Sequence, residues 1–425
     1  MADTIFALSS GSPPAAIAVV RISGPAAGDV LDAMAGGRPA PARASLRSLK
    51  TAEGELLDRA LVLWFPGPAS STGEDIAELH LHGGRAVIAG VELALAGMEK
   101  LRRATPGEFT RRAFVNGRID LAEAEGLADL LSAETDLQRR SALALAQGAL
   151  SRQVDGWRET VLTLSAAIEA ALDFSDEGDV GDFPHGFAQQ AGEFVEELQQ
   201  WLNRPRAEIL REGFKVVLGG PPNAGKSTLF NVLVDQDAAI TSEIAGTTRD
   251  VITRSVALEG IPFQFFDTAG VHESSADAIE QIGIARARGA FEAGDLVLWL
   301  GPEGEGPPGA WEVEARCDVL DHHRKTAPRH VVSALSGKGI ASLRRDLAAT
   351  ARLVMPKPGE IALNQRQSEL LRMAATAVAE ASSHRDLLLA AEDLRTARVA
   401  FDALLGRTTT EDMLDALFGR FCIGK

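Results

Sequence analysis

Apolar and polar positions recur along this chain at two periods, and the places where the period changes divide it into segments. Ile17-Ala18-Val19-Val20-Arg21-Ile22 and Arg59-Ala60-Leu61-Val62-Leu63-Trp64-Phe65 are short apolar runs between Gly/Pro turns, and Ile76-Ala77-Glu78-Leu79-His80-Leu81-His82 alternates apolar with polar. All three predict strands. Ala86 to Leu101 predicts a helix, so residues 1–117 read as an α+β domain. From Gly117 the spacing turns helical: Leu121, Ala124, Leu127, Ala128 and Leu131 share one face. A second helical pattern runs from about Ser141 to Phe174, and Phe194, Leu198, Trp201 and Leu202 mark a third, giving a helical stretch over 118–209. Over 210–355 strand-length runs alternate with helical ones, as a mostly parallel sheet requires. Helices resume over 356–425, after the breaker-rich Val354-Met355-Pro356-Lys357-Pro358-Gly359. There Ile361 to about Leu405 predicts one or two helices, and Thr408-Thr409-Thr410-Glu411 is a capping box for a last helix that Gly419 ends. Helical chain on both sides predicts that the α/β domain is inserted into one helical domain, with its two ends close together.

Composition narrows the class. A chain of 425 residues implies two or three domains. Apolar residues make up 45%, but charge interrupts every run before it reaches membrane-spanning length. Met1-Ala2-Asp3-Thr4-Ile5-Phe6 lacks the basic and apolar regions of a signal peptide, and Cys317 and Cys422 are too far apart in sequence to suggest a disulfide framework. These features predict a cytoplasmic protein with no membrane partner. The formal charge of −16, the absence of tyrosine and an aromatic content of 5% argue against a broad basic nucleic-acid face or a base-stacking platform. Any RNA contact is expected to be local or shared with a partner.

The clearest chemistry lies at Gly220-Pro221-Pro222-Asn223-Ala224-Gly225-Lys226-Ser227, between the apolar run Phe214-Lys215-Val216-Val217-Leu218 and Thr228-Leu229-Phe230. This spacing is that of the phosphate-binding P-loop: its glycines let backbone N–H groups curl around phosphate oxygens, Lys226 reaches the outer phosphates, and the Ser227 hydroxyl suits magnesium. Asp267, at the end of Pro262–Asp267, can hold the magnesium ion through water, and Thr268-Ala269-Gly270 puts the Gly270 amide beside the terminal phosphate. Between them, Ile244-Ala245-Gly246-Thr247-Thr248-Arg249-Asp250 reads as a switch in which Thr248 closes onto magnesium. This order of elements is that of GTPases. The usual guanine-reading Asn-Lys-x-Asp is absent; Ala315-Arg316-Cys317-Asp318 stands in its place and keeps the Asp, while Ser333-Ala334-Leu335 is the loop expected to back the base. Guanine selectivity carried by Asp318 and a relaxed selectivity both remain open. Val271 occupies the place of a water-orienting glutamine, so hydrolysis must draw on a carboxylate such as Glu280 or on a cation, which the Asn223 amide oxygen could ligate.

Two further features admit two readings each. His80 and His82 share a strand face and could bind a metal, though structural hydrogen bonding is the simpler role. The acidic Ser175–Asp182 run reads as a loop, since its spacing departs from that of a helix-loop-helix calcium site.

Taken together, the motifs resemble those of one family, the tRNA modification GTPases MnmE, also called TrmE. The residues carrying the resemblance are Asp3-Thr4-Ile5, Val20-Arg21-Ile22-Ser23-Gly24, Thr72-Gly73-Glu74-Asp75, Ala104-Thr105-Pro106-Gly107-Glu108-Phe109-Thr110, Asn116-Gly117-Arg118-Ile119-Asp120-Leu121, the Ile244–Asp250 switch and Phe421-Cys422-Ile423-Gly424-Lys425. The resemblance implies an N-terminal folate-binding and dimerisation domain, with 5-formyltetrahydrofolate contacted by Arg21, Glu78, Arg118 and Lys425. It implies potassium held by Asn223, Ser242, Ile244 and Thr247, magnesium on Ser227 and Thr248, GTP along Ala224, Gly225, Thr228, Glu243, Ala245 and Gly246, and Glu280 orienting the attacking water. It further implies a homodimer and an FAD-containing partner, MnmG (GidA), in a heterotetramer or larger assembly that acts on the wobble uridine of certain tRNAs.

Overall fold

The structure, a computed structural model, describes residues 3–173, 183–235, 252–267, 294–320, 322, 324–408, 411–419 and 421–424. By contact density the chain divides into two units: Met1–Ala128, Leu150–Arg158 and Phe401–Lys425 form one, and Asp129–Ala149 with Glu159–Ala400 the other.

The first unit is built on a six-stranded sheet of β1 (Thr4–Leu8), β2 (Ile17–Ser23), β3 (Ser45–Lys50), β4 (Leu56–Phe65), β5 (Ile76–His82) and β6 (Leu101–Arg103), in the order β3-β4-β5-β2-β1-β6. Every pairing is antiparallel except β1 with β6. The two-residue period decides what each face does. Ala18, Val20 and Ile22 of β2 and Ala77, Leu79 and Leu81 of β5 enter a core closed by helices Ala27–Met34 and Arg85–Ala96. Arg21, Glu78, His80 and His82 therefore fall on the opposite face. The helix expected to reach Leu101 stops at Ala96, because Gly97 follows and Lys100 takes a left-handed φ of 68° that returns the chain to β6.

In the second unit the sheet order is β12-β11-β10-β7-β9-β8, from β7 (Phe214–Gly219), β8 (Ile252–Leu258), β9 (Ile261–Asp267), β10 (Leu296–Trp299), β11 (Trp311–Glu314) and β12 (His330–Val331). All neighbours are parallel except β8 with β9. The continuous apolar run of β7 is explained by its position inside the sheet, where Val216, Val217 and Leu218 are all fully buried. Phe214 packs edge-on to Phe263 at 5.7 Å, and Phe263 stacks on Phe265 at 5.9 Å. These contacts fix β7 against β9, and the pairing of Leu218 with Asp267 places the ends of the two strands side by side.

Helices Phe187–Leu202 and Gln365–Ser383 lie on either side of this segment in sequence and pack together. The Ala207 N–H donates to the Leu363 carbonyl at 3.1 Å, and the Gln365 N–H to the Glu208 carboxylate at 2.7 Å. The chain thus enters and leaves the second sheet through adjacent segments. The single helical pattern from Ser141 to Phe174 resolves into Asp136–Ala146 and Ala149–Asp173, separated by Gly148 at φ 74°. Thr135 and Gln138 form a capping box at the start of the first, and the Gln138 amide also donates to the Leu210 carbonyl at 2.9 Å. Among the described residues no helix is long and apolar enough to cross a membrane.

Candidate functional site

Between the end of β7 at Gly219 and helix Lys226–Asp235 the backbone folds back on itself, with positive φ at Gly220 (143°), Asn223 (61°) and Gly225 (93°). Lys226 is only 3% exposed, and its Nζ donates to the carbonyls of Gly220 and Pro221, each at 2.8 Å. Burial lowers the pKa of its amine, and the nearby Asp267 carboxylate works in the opposite direction. Asp267 closes β9 opposite Leu218 and is 2% exposed. Ser227 and Thr228 stand exposed in the first helical turn. Curled amides, a helix N-terminus and one held cation make a cradle for phosphate, with a hydroxyl and a carboxylate beside it that suit magnesium.

A second loop, after β11, completes the cavity. Cys317 N–H donates to the Val332 carbonyl at 3.2 Å, which holds residues 315–319 against the segment that follows β12. Ser333 is fully buried; its hydroxyl hydrogen-bonds the Asp318 carboxylate and, together with the Asp318 backbone amide and the Arg316 charge, holds that carboxyl below its ordinary range. A cavity of about 980 Å³ runs from Asn223, Gly225, Lys226, Ser227 and Thr228 to Arg316, Asp318, Ala334 and Leu335. Ala224 lines a neighbouring cavity of about 330 Å³. The fold therefore brings the phosphate loop and the Asp318 and Ala334 loops to one space, with Ser333 supporting Asp318 from behind. Ser242, Glu243, Ile244, Ala245, Gly246, Thr247, Thr248, Thr268, Ala269, Gly270, Val271 and Glu280 lie outside the described residues.

Arg316, to which the sequence reading assigns no role, also belongs to this loop. Its Nη1 donates to the Asn223 carbonyl at 3.1 Å. The signal was present in the tetrad itself, since an arginine keeps the charge and the reach of the residue it replaces.

Behind this loop, His322 has a side chain 7% exposed, with Nε2 2.8 Å from Glu314 Oε1 and Nδ1 2.6 Å from the Val319 carbonyl. Two acceptors favour the imidazolium, so the Glu314 carboxylate and then the Val319 carbonyl raise the histidine pKa against an opposing contribution from Arg324. Glu314 is lowered, first by the Lys325 N–H and then by His322. A raised histidine stabilises the fold below its ordinary 6.5 and loses that contribution as pH rises through the raised value. Glu314 loses its contribution only as pH falls below its ordinary 4.5 and through the lowered value. The Cys317 amide should therefore be better protected from hydrogen exchange at about pH 6 than at about pH 8.5, after correction for intrinsic rates. His322→Asn should remove the difference; protection that is equal in the parent protein at the two pH values would refute it.

The first unit holds a second cluster. Arg21 and Glu78 are register partners across β2 and β5, with Arg21 Nε 2.9 Å from Glu78 Oε1 and His80 Nε2 3.2 Å from Glu78 Oε2. Burial pushes the Glu78 carboxyl up, but Arg21 and His80 together bring it below its ordinary value. The Phe109 ring lies 5.9 Å from the Arg21 guanidinium carbon. Ser23 Oγ is 2.8 Å from both Thr72 Oγ1 and Glu74 Oε2, and Asn116 Nδ2 donates to the Thr72 carbonyl at 2.7 Å. Arg118 packs along Gly73, whose added Cβ would lie 3.2 Å from Arg118 Cγ. Burial alone would raise Glu108, yet donation from Arg102, the Thr105 N–H and Arg112 brings its carboxyl down to about 2. The chain's end reaches the same region: the Gly107 N–H faces the Cys422 carbonyl at 3.5 Å, and Gly424 sits against the Leu8 carbonyl. Cys422 is exposed and forms no disulfide; Lys425 lies outside the described residues. His82 Nδ1 pairs with Asp58 at 2.8 Å, and among the described residues no group of three His, Cys, Asp or Glu could hold a metal. The hydrogen-bonding reading of the histidine pair is the one these contacts favour.

Comparison with known proteins covers both units. Residues 4–118 match the family described as the GTP-binding protein TrmE N-terminus, and residues 121–422 match the MnmE helical domain. The tRNA modification GTPase MnmE of Novosphingobium aromaticivorans is 61% identical over 437 residues, covering 100% of both chains. The proteins of the same name from Erythrobacter litoralis and Rhizorhabdus wittichii are 60% and 56% identical, the former over 100% of both chains and the latter over 100% of this chain and 97% of its own. With two domain matches that together leave only a few residues uncovered, and relatives alike from end to end, the chain belongs to the MnmE family of tRNA modification GTPases.

Proposed function

We propose that this chain is a potassium-activated GTPase that works as a homodimer with an FAD-containing partner to modify carbon five of the wobble uridine of certain tRNAs, in the cytoplasm. The observation that carries the nucleotide half of this reading is the single cavity joining Lys226 to Asp318. In it Lys226 neutralises the outer phosphates of GTP, and the loop amides hold their oxygens. Asp318, kept ionised by Ser333, accepts from the two guanine N–H groups. Ser227 and Asp267 would hold magnesium, with Thr248 joining them, and the metal would neutralise charge that develops on the phosphates. Asn223, Ser242, Ile244 and Thr247 would hold potassium in the place of an arginine finger, and Glu280 would orient the water. Asn223 at positive φ lines the cavity at its phosphate end, which fits the first of these roles.

For the first unit, the charge-paired Arg21 and Glu78 beside the Phe109 ring suit a ligand with both a polar pteridine edge and an aromatic face. 5-Formyltetrahydrofolate is such a ligand, and Arg118 and Lys425 would meet its anionic tail. There it would supply the one-carbon unit of the modification.

GTP turnover should be at least about tenfold faster in potassium than in sodium, and Asn223→Ala should bind GTP yet lose that difference. Equal turnover of the unaltered protein in the two salts would sink the cation role. Deleting the gene and measuring tRNA nucleosides by mass spectrometry tests the other half: wobble-uridine modification that persists unchanged would sink the assignment to tRNA.

A further inference from the structure

The short helix Ala207–Glu212 stands directly before β7, with Gly213 the one residue between them. Its sheet-side contacts are close. Ile209 packs on the buried core of the sheet, and Gly213, at φ 84°, lies so near β9 that an added Cβ would be 3.0 Å from the Phe263 backbone N and C. The helical segments hold the same helix by polar atoms: the Gln138 amide donates to the Leu210 carbonyl at 2.9 Å, and Arg211 clasps the Asp129 carboxylate with Nε 2.6 Å from Oδ1 and Nη2 2.9 Å from Oδ2. Leu137, beside Gln138, packs on the sheet core as well. Among these contacts lies a cavity of about 260 Å³, lined in part by Asp129, Gln138, Ala142, Leu145, Leu210 and Ile361. A close-packed junction leaves no such space, and an ion pair whose side chains are 36% and 20% exposed is a tie that water can replace. The helix is thus seated on the sheet by packing and tied to the helical segments by polar contacts around a space.

We propose that the Arg211–Asp129 clasp, with the Gln138–Leu210 bond, is the joint through which the state of the nucleotide site reaches the helical segments. β7 and β9 pair from Phe214 with Phe263 to Leu218 with Asp267, so the two strands that begin at this helix end at the phosphate loop and at the magnesium carboxylate. Over that span, roughly 13 Å at about 3.3 Å per residue, paired strands move as one body. A nucleotide that shifts the phosphate loop and Asp267 therefore shifts Ala207–Glu212, and the cavity gives the helix room to slide past Gln138 and Asp129. The joint needs only that one nucleotide state favours the closed clasp more than the other does. Asp129 lies near the end of helix Leu121–Ser132, which begins in the first unit and ends in the second, so the clasp acts on a helix common to both. The inference rests on the nucleotide reading given above and names the residues that carry its conformational output.

The test is hydrogen exchange of the full chain, saturated with GDP or with a non-hydrolysable GTP analogue, followed in residues 219–226 and in helix Asp136–Ala146. The proteins compared are the parent, Arg211→Ala, the isosteric Asp129→Asn, and the exchanged pair Arg211→Asp with Asp129→Arg. In the parent, exchange in the helix should differ by at least about threefold between the two nucleotides. Both single variants should lose that difference while residues 219–226 still respond and single-turnover GTP hydrolysis stays within about threefold of the parent, because neither residue touches the nucleotide site. The exchanged pair should regain it. A helix response that persists in both single variants overturns the joint; so does one that is lost in them and not regained by the exchanged pair, since the side chains then matter only as packing. If residues 219–226 of the parent respond to nucleotide and the helix does not, the joint is overturned and the nucleotide reading stands. If residues 219–226 of the parent respond to neither nucleotide, both fall.

Discussion

Lys226→Ala is expected to lower GTP turnover at saturating nucleotide by about 10²- to 10³-fold, the cost of removing one preorganised charge from a site of developing negative charge. Lys226 is 3% exposed, and its amine is held between two carbonyls of the loop it must serve. That arrangement has two consequences. The ammonium is fixed where phosphate oxygens arrive, so little reorganisation is needed when charge builds up; and burial, which lowers its pKa, makes exchange of a carbonyl partner for a phosphate oxygen favourable. Removing it also leaves the Gly220 and Pro221 carbonyls short of a donor, so some loss of stability is expected as well. Single-turnover hydrolysis, read together with a thermal melt, separates the two effects. Turnover within threefold of the parent, in a variant that remains folded, would defeat the assignment.

How much of this was legible beforehand depended on the range over which each feature is determined. The phosphate loop could be read from sequence because its geometry is local: glycines at Gly220 and Gly225 and a lysine opening a helix dictate the turn whatever the surroundings. Ile17–Ile22, Arg59–Phe65 and Ile76–His82 are likewise evident as strands, and the structure extends the first to Ser23 and begins the second at Leu56. β3 and β6 were not. Ser45–Lys50 is an edge strand with a single fully buried side chain, and Leu101–Arg103 is strand only because β1 pairs with it. The same limit governs the sites. That Ser333 would meet Asp318, or Arg316 the Asn223 carbonyl 93 positions away, depends on how β7, β11 and β12 are ordered in the sheet. Arg21 read by itself is a surface charge; only the β2–β5 register, which sets it opposite Glu78, makes it part of a built pair. The potassium and water-orienting residues rest on the family pattern, since Ser242 to Thr248 and Glu280 lie outside the described residues.

Gly107→Ala should destabilise the first unit by about 2–5 kcal/mol, combining the cost of a left-handed L-residue with displacement of a packed core. Gly107 precedes helix Glu108–Val115 at φ 69°, and a Cβ there would lie 2.1 Å from the Phe418 carbonyl oxygen and 2.8 Å from its carbon. Backbone cannot swing aside as a flexible side chain would. Phe418 is 2% exposed and packs its ring 6.0 Å from Phe114 and 6.1 Å from Phe421, within the core that also holds Leu121 and Leu414. Moving its carbonyl therefore disturbs the region where Cys422 and Gly424, near the chain's end, meet Gly107 and Leu8. Gly117→Ala is the matched control: φ is 65°, but nothing lies within 4 Å of the added carbon, so only the conformational cost of about 1 kcal/mol should remain. Because a chain of several domains need not unfold in one step, the readout is hydrogen exchange in helix Glu108–Val115 alongside urea denaturation. Gly107→Ala should speed exchange there well beyond Gly117→Ala. Should the two variants prove equally stable, the close approach of Gly107 to Phe418, and with it the seating of the C-terminal segment against Gly107 and Leu8, would be wrong.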